Sequence, residues 1–136
     1  MEDILKFENR DQLYQFLIDD FGFKKIDERY TPEFFGDFYV LLSGAFLVMY
    51  INDRGFLTVD IASKYAPSDR YSLSILRELI HGPQKSVNQK NRDRINEYNS
   101  FLKEDYRLIE NLLNKENYRK TLNKIVVLLK NQNPLI

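Results

Sequence analysis

The chain has 136 residues, 43% hydrophobic and 14% aromatic, enough for a single domain with a sizeable core. Twenty bases balance twenty acids, and the lack of cysteine excludes disulfides and thiolate metal sites. No apolar run reaches the about 18 residues of a membrane span, and the opening M-E-D-I-L-K is not a basic-then-apolar leader. A cytoplasmic protein without membrane attachment is expected.

The charge balance is uneven along the chain. Residues 1–69 carry thirteen acids and seven bases, and residues 70–136 carry seven acids and thirteen bases, so the halves stand at −6 and +6. Such halves either complement each other across the fold or present two differently charged surfaces.

A helix is predicted over 9–21, opened by an N-R-D-Q capping box and striped by Leu13, Phe16, Leu17 and Phe21. Gly22 stops it. The charged run from Phe23 to Tyr30 suits an edge strand, where charge discourages pairing with other chains. Pro32 and Gly36 bracket a loop whose Phe34 and Phe35 are expected to plug one end of the core.

From Asp37 to Ser63 the pattern predicts three strands joined by tight turns. A two-residue Ser43-Gly44 loop pairs Leu42 with Ala45, Val40 with Leu47 and Phe38 with Met49. For the second turn, a four-residue loop pairs Ile51 with Phe56, and a three-residue loop pairs Ile51 with Leu57. A one-residue slip exchanges the faces of a strand. The three-residue loop keeps Thr58 and Asp60 away from Met49 and Leu47, and unpaired buried carboxylates are costly, so it is the register expected. One face is then wholly apolar: Phe38, Val40, Leu42, Ala45, Leu47, Met49, Ile51, Leu57, Val59 and Ile61. The other mixes Asp37, Tyr39, Leu41, Phe46, Val48, Tyr50, Phe56, Thr58, Asp60 and Ala62. Either a helix covers that mixed face or a partner binds it.

After a loop, Ser68 or Asp69 is expected to cap a helix striped by Leu73, Leu76, Leu79 and Ile80 and ended by Gly82-Pro83. Residues 84–92 are polar. Ile95, Tyr98, Leu102, Ile109 and Leu112 predict one long helix over 89–114, and Tyr118, Leu122, Ile125, Val126 and Leu129 a last one over 118–131, before Pro134. These two would form an antiparallel hairpin. The fold class expected is α+β: an antiparallel meander of three to four strands, an N-terminal helix and three C-terminal helices, in a single domain spanning 1–136.

The residues carry no catalytic motif. His81, the sole histidine, sits in the last turn of a helix, where a cation complements the helix dipole. Nucleophile-elbow, phosphate-loop and H-E-x-x-H patterns are all missing. No catalytic, cofactor or metal residue is assigned, and a non-enzymatic protein is expected. Asp37 and Asp60 are the one carboxylate pair placed on a shared sheet face. Lys85, Lys90, Arg92 and Arg94, with Lys115, Arg119, Lys120, Lys124 and Lys130, form basic stretches, but Glu97, Glu104, Asp105 and Glu110 interrupt them. Solvated helix faces explain these charges better than nucleic-acid binding.

The run F-L-V-M-Y-I-N-D-R-G-F-L-T-V-D-I-A-S, followed by Tyr71 opening a leucine-rich helix, resembles small bacterial immunity proteins of polymorphic or contact-dependent toxin systems. The resemblance covers residues 37–82. It implies a protein that binds and neutralises a cognate toxin domain, often a nuclease with a basic active site. The acidic half would complement such a surface. On that reading the partner-binding residues are Asp37, Tyr39, Tyr50, Asp53, Arg54, Thr58 and Asp60. The alternative is an adaptor or nucleic-acid-binding module that uses the basic C-terminal helices.

Overall fold

The computed structural model describes residues 11–31, 36–83 and 90–132. The capping box at Asn9, the Phe34-Phe35 plug, residues 84–89 and Pro134 lie outside them. The fold is α+β. A five-stranded antiparallel sheet runs in the order β1-β2-β3-β4-β5. Its strands are β1 (Lys24–Thr31), β2 (Asp37–Ser43), β3 (Leu47–Asp53), β4 (Phe56–Ala62) and the short β5 (Tyr71–Ser72). The helices are α1 (Gln15–Phe21), α2 (Leu73–His81), α3 (Asn91–Glu104), α4 (Tyr106–Leu113) and α5 (Tyr118–Gln132).

The main core gathers Phe38, Val40 and Leu42 of β2, Val48 and Tyr50 of β3, and Leu57, Val59 and Ile61 of β4. Against them pack Leu17 of α1, Leu73 and Leu76 of α2, Ile95 and Leu102 of α3, Ile109 of α4 and Ile125 of α5. Burying such side chains contributes about 1.5–3 kcal/mol each. The helices thus share one face of the sheet. The Tyr106 ring of α4 stacks on Phe21 at 4.0 Å and meets Phe46 at 5.5 Å, tying the C-terminal helices to both α1 and the first hairpin.

Both hairpin turns differ from the expected lengths. Ser43 pairs with Leu47, so the first loop is Gly44-Ala45-Phe46 rather than Ser43-Gly44. Gly44 does not take a positive φ. It is required because a Cβ there would lie 2.8 Å from the Phe23 ring. Asp53 pairs with Phe56, leaving the two-residue turn Arg54-Gly55, shorter than either expected alternative. Arg54 at φ 53° and Gly55 at φ 84° are both left-handed, the geometry of the primed turns that suit the twist of a hairpin.

The two length errors cancel at β4 and invert β3. Val40 faces Tyr50, and Tyr50 faces Val59, so Val48, Tyr50 and Asn52 point into the core, while Leu47, Met49 and Ile51 point away from it. Thr58 and Asp60 then stand beside Ile51 and Met49, on the same face as the Met49 and Leu47 side chains that the expected register kept them from. The carboxylate is tolerated because Arg70 reaches it at 3.5 Å on a half-open face.

Elsewhere the differences are local. The first helix proper starts at Gln15, and Gly22 ends it in the left-handed conformation, with Phe23 N–H donating to the Leu17 carbonyl at 3.0 Å. Tyr71 and Ser72 extend the sheet, so Ser72 rather than Ser68 or Asp69 caps α2, accepting the Ser74 N–H at 3.2 Å. The long helix breaks at Asp105 (φ −106°), whose carboxylate turns to His81 at 2.9 Å.

Candidate functional site

The outer face of the sheet carries a second, smaller apolar cluster: buried Leu47, Met49 and Ala62 with half-buried Tyr39, Leu41 and Ile51. Every member is a strand or strand-end residue. Among the described residues, no helix side chain joins it.

The face has two halves. Near Leu47 and Met49 it is closed, and Arg70 lies over it with Nη1 4.0 Å from Met49 Sδ. Toward the Arg54-Gly55 turn it opens, with Tyr39, Ile51 and Thr58 half-buried and Asp53, Arg54 and Phe56 exposed. A shallow depression of about 200 Å³ lies there, lined by Asp37, Tyr39 and Asp53 together with Arg29 and Thr31 of β1. Arg29 stands 5.8 Å over the Tyr39 ring. Asp37 Oδ1 accepts the Arg54 N–H at 2.7 Å, fixing the turn against β2.

Five of the residues singled out in the sequence, Asp37, Tyr39, Asp53, Arg54 and Thr58, therefore share the open half. Asp60 is on the same face beside Met49. Burial raises its pKa above the ordinary carboxylate range, and Arg70 partly opposes that shift. Tyr50 does not belong here. The inversion of β3 buries it completely on the core side, where its hydroxyl donates to Asn99 Oδ1 at 2.7 Å. Burial also raises its pKa, keeping the donor protonated. Arg29 and Ile51 were missed; the Arg29–Tyr39 pairing could be read only once β1 had a register on β2.

The acidic excess of the N-terminal half is not concentrated on this face. Asp27 pairs with Arg29 at 3.4 Å, Asp53 with Arg54 at 3.3 Å and Asp60 with Arg70 at 3.5 Å. The surface is a patterned one of alternating charge around aromatic and aliphatic groups. A polar cleft of about 320 Å³ between α2 and α3 holds the His81–Asp105 and Arg77–Glu97 pairs. Among the described residues, no three His, Asp or Glu side chains gather as ligands for one metal ion. No helix of the described residues is long and apolar enough to cross a membrane. No protein-family model, curated protein or solved structure matches the chain.

Proposed function

We propose that this chain is an immunity protein, which binds a cognate bacterial toxin domain in the cytoplasm and neutralises it through the open half of the outer sheet face. The observation that carries the reading is a sheet face whose apolar cluster includes no side chain of the described helices, presenting Tyr39, Ile51 and Thr58 beside an exposed two-residue turn. Sheets with one apolar face usually find cover for the other when it too carries large apolar groups. Rigid amphipathic tyrosine and paired arginines are the residue types that anchor protein interfaces.

Arg54 adds a second support. It holds a left-handed backbone that asparagine or glycine would adopt with less strain, and its side chain stands 78% exposed at the tip of the turn. Strain kept in an exposed loop is a pointer to function. The sequence resemblance over residues 37–82 includes this turn.

The test is protection. Cells expressing a toxin domain encoded beside this chain should grow when the wild-type protein is co-expressed. Growth should be lost with Tyr39→Ala or Asp60→Lys in a protein that still folds. Full protection by both variants would remove the outer face from the reading. A second reading, nucleic-acid binding by the basic helices, has the cations of α5 in its favour. Against it, Arg94 is committed inside the fold, its Nε donating to the Leu57 carbonyl at 3.0 Å. Salt-sensitive retention of duplex DNA or RNA by the purified chain tests that alternative.

A further inference from the structure

Helix α5 is held by little of its surface. Of its residues, Thr121 and Ile125 are buried. Val126, Val127 and Leu129 are 42%, 56% and 44% exposed. Its charge is of one sign: Arg119, Lys120, Lys124 and Lys130 are all basic, and no acid occurs between Tyr118 and Gln132.

One flank of α5 borders a groove of about 460 Å³ shared with α2. Leu79 of α2 and Leu128 of α5 are half-buried in it, and Lys120, Lys124, Val127 and Asn131 line it. The last four lie at i, i+4, i+7 and i+11, one continuous helical row about 16 Å long. A row of that length matches about three turns of a partner helix. The cations occupy the first half of the row and the apolar group follows, with Leu79 and Leu128 alongside.

We propose that this α2–α5 groove docks an amphipathic helix of a partner protein whose apolar stripe is flanked by Asp and Glu. The charge of α5 selects the occupant. A second copy of α5 has no acid to offer between Tyr118 and Gln132, so it would leave Lys120 and Lys124 without carboxylate partners. The phosphates of a duplex would match the lysines but leave Leu79, Val127 and Leu128 without apolar cover. An acidic helix satisfies both parts: carboxylates meet the lysines, and its stripe covers the three apolar side chains, as in other helix-in-groove recognition. This site is separate from the outer sheet face and does not depend on the role proposed for that face.

The test is selection from a displayed library of amphipathic helical peptides with a fixed leucine stripe and flanking positions encoding either Glu or Lys. The intact chain should enrich Glu at the flanks. Enriched peptides should bind Val127→Asp about tenfold or more weakly, since central apolar contacts dominate such interfaces. The Lys120→Glu/Lys124→Glu variant should reverse the charge preference. Val127 is exposed, so its substitution leaves the fold intact, and thermal melting checks this. Tyr39→Ala should leave peptide binding unchanged. Failure to enrich any peptide, enrichment without acidic bias, or equal binding to Val127→Asp would overturn the proposal. So would capture of phosphatidylglycerol vesicles through α5 by a chain that selects no peptide.

Discussion

Arg54 is where conformational strain and surface chemistry meet. A left-handed backbone costs a non-glycine residue about 1–2 kcal/mol, and asparagine before glycine is the favoured pair in this kind of turn. Arg54→Asn should raise stability by about 0.5–1 kcal/mol in urea denaturation, because the exposed Asp53 pair it loses is worth little. The same change should weaken partner binding, a trade of stability against function. A stability loss would mean that the arginine side chain holds the turn.

Gly44 is constrained by space instead. A methyl group there would meet the Phe23 ring at 2.8 Å, in contact with Phe46 and Tyr106 beyond it. Gly44→Ala should destabilise by about 1–3 kcal/mol, as overpacking does, and an unchanged melting temperature would show that the ring can move aside.

Asp60 sets a pH dependence. Its carboxyl is harder to ionise folded than unfolded, because burial outweighs the attraction of Arg70. Between its ordinary pKa and the raised folded value, the native state holds more protons than the unfolded state, so stability falls as pH rises through that window. Comparing wild type with Asp60→Asn across acidic pH should show this: the variant gains relative stability as pH increases. A gain by wild type instead would mean that the Arg70 pair outweighs desolvation.

At the scale of elements, β2 and β4 were legible because their apolar residues alternate cleanly. Phe38, Val40 and Leu42, then Leu57, Val59 and Ile61, go to the core as expected. β3 was not legible. L-V-M-Y-I-N is apolar at nearly every position, and its burial is correspondingly two-sided, so only the turn lengths decide its orientation. Those lengths depend on long-range facts: the Phe23 ring against Gly44, and Asp37 holding the Arg54 N–H. The stop of α2 at Gly82 was local and readable. The break at Asp105 was not, because its partner His81 comes from another helix.

Part of the exposed edge of β4 is satisfied by α3 rather than by another strand. Asn91 accepts the Leu57 N–H at 3.1 Å and donates to the Gly55 carbonyl at 2.7 Å. Arg94 adds a bond to the Leu57 carbonyl and covers the Phe56 ring at 4.2 Å. Asn91→Ala strands the buried Leu57 N–H and frees the half-buried Gly55 carbonyl, and should cost about 1–3 kcal/mol in chemical denaturation. A negligible change would mean that water replaces the amide. These contacts also anchor the turn that carries Asp53 and Arg54.

The whole molecule is a sheet with its described helices on one side, leaving surfaces of different character. The outer sheet face pairs Asp27, Asp53 and Asp60 with arginines, whereas α5 is purely basic. The sequence halves of −6 and +6 therefore do not map simply onto an acidic and a basic side. Of the candidate site, Asp37, Tyr39, Asp53, Arg54 and Thr58 could be read from alternation and turn position. Tyr50 could not, because its side of the sheet depends on the length of a loop ahead of it.

The outer-face reading makes Tyr39 and Tyr50 opposites, although they were expected to act together. The decisive measurement is titration calorimetry of Tyr39→Ala and Tyr50→Phe against the cognate toxin domain, below the melting temperature of each variant. Tyr39→Ala is expected to weaken binding about tenfold or more, as loss of an aromatic anchor does. Tyr50→Phe loses its bond to Asn99 and some stability but should bind as wild type does. Wild-type affinity in Tyr39→Ala, or a comparable loss in a folded Tyr50→Phe, would contradict a binding surface on this face of the sheet.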